Sequence, residues 1–384
     1  MIVAKAFYFL FFGAMACLAP FLTLYYQDLG LSGREIGFLT GIVPLITMFG
    51  AALWGMIADA TGRHRLLFLL AIIGTWCSVF LMTTAGSFLI LIPIVVIYAF
   101  CFSPIIPLTD NSVIEQLGEE RRDEYGRQRV WGSYGWGLAG AAIGVIIAAS
   151  GLQWAFIAFL AIFVPLFLVG TRLPMSPYKA GSHFWSELRE LLSNRSWLLF
   201  LAVALIEGMS MGIFLNYLFL YLDALGASAT IMGLTLTMAT ISEIPVFLYS
   251  QRLLARWSAP FLLAISMIFV VIRAFAYVGM TDPWQVLLIS LLHGPTFALM
   301  WVAGVAYAAE IAPPGLGATA QGVFAGVVMG LGSALGAFSG GILYDASGPK
   351  SAFYFAGFAA LAATAVFVFV NRSAFRRQIQ RAHP

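Results

Sequence analysis

Six ionisable side chains stand inside stretches of this sequence that are otherwise apolar: Asp110, Arg129, Glu207, Glu243, Arg273 and His293. In "DEYGRQRVWGSYGWG", Arg129 is level with Val130, Trp131 and the glycines of an apolar run that continues to Ala149. An arginine within a membrane span costs about 2.5–3.5 kcal/mol on insertion scales, so it is rarely left unpaired. Asp110, in the preceding apolar run, is the natural partner, and such an intramembrane pair marks a functional site by default. The plainer alternative is that Arg129 reaches back to the membrane surface beside Arg127. Glu243 in "ATISEIPVF" and Glu207 in "ALIEGMSMG" are carboxyl groups in apolar surroundings. A buried carboxyl group keeps its proton unless a cation holds it ionised. A Glu243 alternating between a proton and Arg273 would therefore act as a coupling switch. Glu207 reads equally well as an ordinary hydrogen-bonded acid near a wet cavity, and a lone His293 as a packing histidine.

The elements that must position these groups follow from composition. Of 384 residues, 61% are hydrophobic and only 10% charged, and the mean hydropathy is +0.93. Soluble domains carry about 25% charged residues, so most of this surface faces lipid. The net charge of +3 says little about acidic partners. A bilayer core of about 30 Å needs about 20 apolar residues per helix. That ruler gives twelve spans, near 4–27, 36–58, 66–85, 88–110, 129–149, 154–172, 197–221, 229–250, 260–279, 284–309, 319–343 and 351–371. The fold class expected is an all-α membrane protein with two pseudo-symmetric six-helix bundles, residues 1–172 and 197–371. Between them lies a polar linker, 173–196, and after them a basic tail, 372–384. In the linker, Phe184, Trp185, Leu188, Leu191 and Leu192 have helical spacing among charges, as a short amphipathic helix in the interface would; a plain connector is the alternative.

Arg63, Arg65, Arg121, Arg122, Arg127, Arg172, Lys179, Arg189, Arg195, Arg252 and Arg256 all fall in loops on one side, with the basic tail. Only Arg34 and Lys350 fall on the other. Lysine and arginine accumulate on cytoplasmic loops, so both termini are expected in the cytoplasm. The three cysteines (Cys17, Cys77 and Cys101) lie in apolar runs and suggest neither disulfides nor a metal site. The N-terminal run is too long and aromatic for a signal peptide and reads as the first span. Glycines 132, 135, 137, 140 and 144 in the fifth span, and 322, 326, 330, 332, 336, 340 and 341 in the eleventh, occupy corresponding places in the two halves. Small residues let helices approach closely in lipid, and paired repeats of six helices are one way transporters are built.

The loop after the second span reads "GMIADATGRHR", with Gly55, Asp59, Gly62, Arg63 and Arg65. It resembles the glycine–aspartate–glycine–arginine signature of the major facilitator superfamily, whose loop latches one half against the other. "APFLTLYYQDLGLSGREIG", "SPIIPLTDNSVIEQLGEERRDEYGRQRVWGSYGWG", "LLHGPTFALMWV" and "GGILYDASGP" extend the resemblance along nearly the whole chain. They are similar to the proton-symporter branch that includes the phenylpropionate and lactose permeases. That resemblance implies substrate-binding roles for Asp110, Arg129 and Trp136, with Ser133 one turn beyond Arg129. It also implies proton-coupling roles for Arg273 and His293, twenty residues apart. Three residues past the histidine the sugar symporters carry a carboxylate, where this chain has Thr296. The proton is then expected on Glu243 or Glu207.

No phosphate-binding glycine loop, HExxH helix or Cys/His metal spacing is present, so an enzyme or an ATP-driven pump is not expected. The expected function is proton-coupled import of a small organic solute, an aromatic carboxylate or a sugar, by alternating access. A drug or metabolite/proton antiporter of the same fold is the alternative. No cofactor is expected, the proton gradient supplying the energy. The expected setting is the bacterial inner membrane, with the chain acting as a monomer on a small-molecule substrate and on no nucleic acid.

Overall fold

The computed structural model describes residues 1–175, 184–372 and 375, excepting the side chains of 122, 123 and 184–186. Among them are twelve helices long and apolar enough to cross a membrane. They are α1 (Ile2–Asp28), α2 (Gly33–Thr61), α3 (His64–Met82), α4 (Phe88–Leu117), α5 (Tyr125–Ser150) and α6 (Gln153–Gly170), then α7 (Arg195–Ala224), α8 (Ala229–Leu248), α9 (Ala259–Val278), α10 (Gln285–Ile311), α11 (Gly317–Ser347) and α12 (Pro349–Val370). Leu89, Leu248, Phe358 and Phe369 are among the large apolar side chains left exposed, which is tolerable only where the surrounding solvent is hydrocarbon. Several helices outrun the apolar runs that announce them. α4 continues from residue 110 to Leu117, and α5 starts at Tyr125, so Arg127 stands on the helix rather than in the preceding loop. Helical hydrogen bonding does not stop where the lipid does.

Local chemistry explains the interruptions. Pro20 lacks an N–H, and α1 narrows to a single 3₁₀ turn at Ala19–Phe21. α2 opens on a capping box, with the Ser32 amide donating to Glu35 at 2.8 Å, and closes on Gly62 at φ +66°, a left-handed position that favours glycine. α4 breaks at Ser103 and Pro104 into Phe88–Phe102 and Ile105–Leu117. α10 is broken between Ser290 and His293 and passes through a π-helical turn at Gly294–Ala298; α11 has another at Gly326–Gly332. Such π-turns are frequent at functional sites.

The chain divides into two compact units, Met1–Ala180 with Gly226–Thr240, and Gly181–Leu225 with Ile241–Pro384. Unit 1 is centred on stacked rings of Phe7, Phe11, Phe159 and Phe163. Its fifth helix has glycines on two faces. A Cβ at Gly135 would enter the carbonyl of Phe9 on α1, and Cβ atoms at Gly140 and Gly144 would meet Leu236, Gly233 and Ala229 on α8. At this approach the Thr237 hydroxyl donates to the Gly137 carbonyl at 2.7 Å. Unit 2 has a core of Trp197, Phe200, Tyr307, Phe324 and Phe367. The linker helix Phe184–Ser193 turns Leu191 into that core and leaves Leu192 exposed. Its Glu187 accepts a hydrogen bond from Thr319, so at Leu191 the linker helix covers protein rather than lipid. The side chains of Phe184 and Trp185, as well as Lys179, Arg376, Arg377 and Arg381, lie outside the described residues.

Candidate functional site

In unit 1 the polar cluster forms where α1, α4 and α5 meet. The Tyr8 hydroxyl, fully buried on α1, donates to Asp110 Oδ1 at 2.5 Å. Tyr125, in the first turn of α5, adds a second hydroxyl interaction with the same carboxylate. Arg129 is half-buried, its guanidinium 4.1 Å from the ring centre of Phe12 and 5.3 Å from that of Tyr8. Gly132 makes this possible, since a Cβ there would meet the Phe12 ring and Arg129 Nη1. Asp110 and Arg129 are thus brought together, but the direct ion pair expected between them is absent among the described residues. Tyrosine hydroxyls hold the carboxylate, while aromatic faces hold the guanidinium by cation–π attraction. Ser133 and Trp136 are half-buried farther along α5, with no hydrogen bond into this cluster among the described residues. Tyr8, Tyr125 and Phe12 escaped the sequence reading. For Tyr8 and Phe12 the only signal was a tyrosine amid phenylalanines in "AFYFLFF", which any lipid-facing helix could carry.

Unit 2 contains a longer polar chain. Arg273 is 7% exposed and makes three donor contacts. Its Nε donates to the Tyr277 hydroxyl at 3.0 Å, its Nη1 to Thr296 Oγ1 at 2.9 Å, and Nη1 lies 3.0 Å from His293 Nδ1. The guanidinium also sits 5.1 Å from the ring centre of Phe214 and 5.5 Å from that of Tyr277. A guanidinium can only donate, so His293 Nδ1 must accept and the imidazole proton belongs on Nε2. That nitrogen faces Glu243 Oε2 at 3.6 Å, too long for a formed hydrogen bond and short enough for one small movement to make it. Phe297 stacks on the imidazole with ring centres 5.2 Å apart.

The irregular stretch of α10 sets this geometry. Pro295 cannot donate a helical hydrogen bond, and the displaced amide of Gly294 is met by Ser242 Oγ of α8 at 2.9 Å. A Cβ at Gly294 would enter the Ser242 carbonyl, so glycine allows α8 to bring Glu243 beside the histidine. Glu243, His293 and Arg273 are therefore assembled, but His293 stands between the acid and the arginine where a direct Glu243–Arg273 contact was expected. Thr296, where an acid might have stood, is one of the arginine's acceptors. Glu207 is buried on α7, separate from this chain.

The residues of the loop signature lie at the α2–α3 junction. Gly62 ends α2, its amide donating to Ala58 at 2.8 Å. Asp59 Oδ1 is 3.8 Å from Nε2 of the buried His64, and Arg65 donates to the Thr171 carbonyl at the end of α6. Gly55 is on the buried side of α2 and Arg63 is exposed. Among the described residues no group of histidine, cysteine or acidic side chains could hold a metal ion.

Residues 1–355 match the MFS_1 like family. The chain belongs to that family. It is 30% identical over 348 residues to the maltose permease of Geobacillus stearothermophilus, covering 89% of this chain and 87% of that protein. It is 27% identical over 348 residues to the probable 3-phenylpropionic acid transporter of Escherichia coli, covering 88% and 89%. Among solved structures, the nucleoside transporter NupG superposes with a TM-score of 0.82 at 17% identity, over 96% of this chain and 98% of that one. At that identity the likeness concerns fold alone. As a member of the MFS_1 like family the protein is a multi-pass membrane transporter, not an enzyme.

Proposed function

We propose that the protein is a proton-coupled symporter that imports a small organic solute by alternating access, with a sugar as the substrate class. The observation that carries the coupling is the Glu243–His293–Arg273 chain. It holds one acid, one neutral imidazole and one permanent cation on adjoining spans, with Arg273 buried and Glu243 and His293 half-buried, a set of groups whose net charge changes by one when a proton is taken up or released. On this reading Glu243 is the proton carrier, His293 relays it, and Arg273 stabilises Glu243 once ionised. For the solute, a carboxylate amid tyrosine hydroxyls and aromatic rings suits a hydroxylated ring, which can donate to Asp110 and stack on an apolar face. The 30% identical relative named a maltose permease supports the same class. A second reading, an aromatic carboxylate, is favoured by Arg129, whose guanidinium rests on Phe12 and Tyr8 with no carboxylate in ion-pair contact among the described residues; the relative named a probable 3-phenylpropionic acid transporter agrees with it. The setting is the bacterial inner membrane, and no cofactor is required.

The deciding experiment places the purified chain in proteoliposomes with an acidic exterior and offers labelled maltose or labelled phenylpropionate in separate arms. Accumulation of either solute above its outside concentration, collapsing when a protonophore is added, supports symport and selects the substrate class. Accumulation only with the gradient reversed would establish antiport instead.

A further inference from the structure

Glu207 lies near the middle of α7 with 3% exposure, and its Oε1 is buried with no hydrogen-bond partner. Residues seven apart on a helix share a face and are about 10.5 Å apart along it, so Phe200, Glu207 and Phe214 form one stripe. Phe200 belongs to an aromatic layer with Trp197, Tyr307 and Phe324. Phe214 belongs to another, with Tyr277, Phe353 and the Arg273 guanidinium. Glu207 is therefore the polar member of that stripe, between two aromatic layers, one of which also holds the Arg273 guanidinium.

The register of the neighbouring helices extends the picture. α7 and α9 are two crossings apart and run in the same direction. Because Phe214 and Arg273 are in contact, Ser266, seven residues before Arg273, falls at the level of Glu207. Ser266 is fully buried and donates to the Thr296 carbonyl at 3.2 Å, while Thr296 Oγ1 accepts from Arg273 at 2.9 Å. Thr296 thus ties the level of the arginine to that of the isolated acid, its hydroxyl accepting from Arg273 and its backbone carbonyl from Ser266. On the adjoining side of α7, a Cβ at Gly208 would enter the Val328 carbonyl of the π-turn, so backbone closes that approach.

The charged groups on the elements packed against α7 are Arg273 on α9, His293 and Glu310 on α10, Asp345 on α11, Lys350 on α12, and Glu187, Arg189 and Glu190 on the linker helix. None of them forms a hydrogen bond or ion pair with Glu207 among the described residues. An ionised carboxylate left unpaired in such a place costs several kcal/mol, whereas a carboxyl group carrying its proton does not. We propose that Glu207 is a second proton-binding site of unit 2, separate from the Glu243–His293–Arg273 chain. It takes a proton to form the O–H bond of a neutral carboxyl group and returns it by breaking the same bond. In transport it serves as a stepping stone between that chain and the arginine-rich side of the membrane. That last role rests on the proton-coupled reading above; the occupancy of Glu207 does not.

The test is infrared spectroscopy of the purified full chain in lipid at neutral pH, with no solute added. Wild type should show a protonated-carboxyl band that Glu207→Gln removes and Glu243→Gln leaves in place. Melting curves check that each variant folds, and Glu207→Asp, which should shift the band, replaces Glu207→Gln if that variant does not fold. Superimposable wild-type and Glu207→Gln spectra would overturn the proposal. So would loss of the band on adding sodium ions at constant pH, which would make the site a cation site. In proteoliposomes Glu207→Gln should slow gradient-driven uptake of the accumulated solute at least tenfold and leave counterflow exchange intact. A missing band with Glu243-dependent accumulation refutes Glu207 alone, and a band without proton-driven accumulation refutes the symport reading alone.

Discussion

Replacing Glu243 with glutamine changes one oxygen to an amide nitrogen and almost nothing in volume, so its effect isolates charge. Glu243 Oε2 lies 3.6 Å from His293 Nε2. With the imidazole neutral, the interaction at stake is a hydrogen bond to a charged group, worth about 1.5–3 kcal/mol once the small closing movement forms it. A gradient of one pH unit is worth about 1.4 kcal/mol. That interaction is of the same order as the driving force, and the presence or absence of one added proton decides whether the chain is neutral. Glutamine can neither take up that proton nor balance Arg273. With one proton per solute, one pH unit supports about tenfold accumulation in the wild type, from the same 1.4 kcal/mol. Glu243→Gln should bring that ratio to about one, while counterflow of labelled against unlabelled solute continues, because binding and reorientation survive. The assay is paired accumulation and counterflow in the same proteoliposomes. Tenfold accumulation by the glutamine variant would refute the reasoning and make Glu243 a structural acid.

Three further outcomes follow from the geometry. Tyr8→Phe removes a hydrogen bond to a carboxylate, worth about 1.5–3 kcal/mol, and should lower the melting temperature by several degrees and weaken solute binding in a titration of purified protein. Arg129→Ala should abolish measurable solute binding, and Arg129→Lys should recover little of it, because an ammonium lacks the planar face that rests on Phe12 and Tyr8; wild-type affinity in either variant would leave Arg129 as a membrane-surface anchor. Gly135→Val drives a side chain into the Phe9 carbonyl, and since overpacking costs about 1–3 kcal/mol or more, its melting temperature should fall by several degrees with a lower yield of folded protein.

The helices were legible because each needs only length and apolarity; the loop charges add an expected direction. The glycine spacing of α5 was legible too, though not that Gly135 serves α1 while Gly140 and Gly144 serve α8. Among the site residues, the ionisable ones declared themselves by standing in apolar runs. Tyr8 and Tyr125 could not. With 14 tyrosines and 33 phenylalanines in the chain, a tyrosine that binds a carboxylate is indistinguishable in sequence from one that packs. The order Glu243–His293–Arg273 was hidden for a different reason. It depends on how α8 is placed against α10, and that placement is set by an amide displaced at a π-turn and by the missing Cβ of Gly294. Hydrophobic periodicity carries no trace of either.

The threonine at position 296 is the departure that most affects the reading of this site. An acid there would have met Arg273 directly and cancelled its charge locally. Thr296 instead contributes a neutral acceptor, as do Tyr277 and His293, and the balancing negative charge is moved to the far side of the imidazole, on Glu243. With Glu243 ionised and His293 neutral the chain sums to zero; with a proton added it carries one positive charge around a guanidinium that is 7% exposed. A buried cation without its balancing charge is unfavourable, so under the symport reading the protonated form is the less stable one. It must either lose its proton or gain compensation from new hydrogen bonds or a negative group, and a bound solute is the natural source. A proton held by Glu243 and a solute bound elsewhere would then stabilise one another by the same free energy in each direction, which is the requirement for coupling the two.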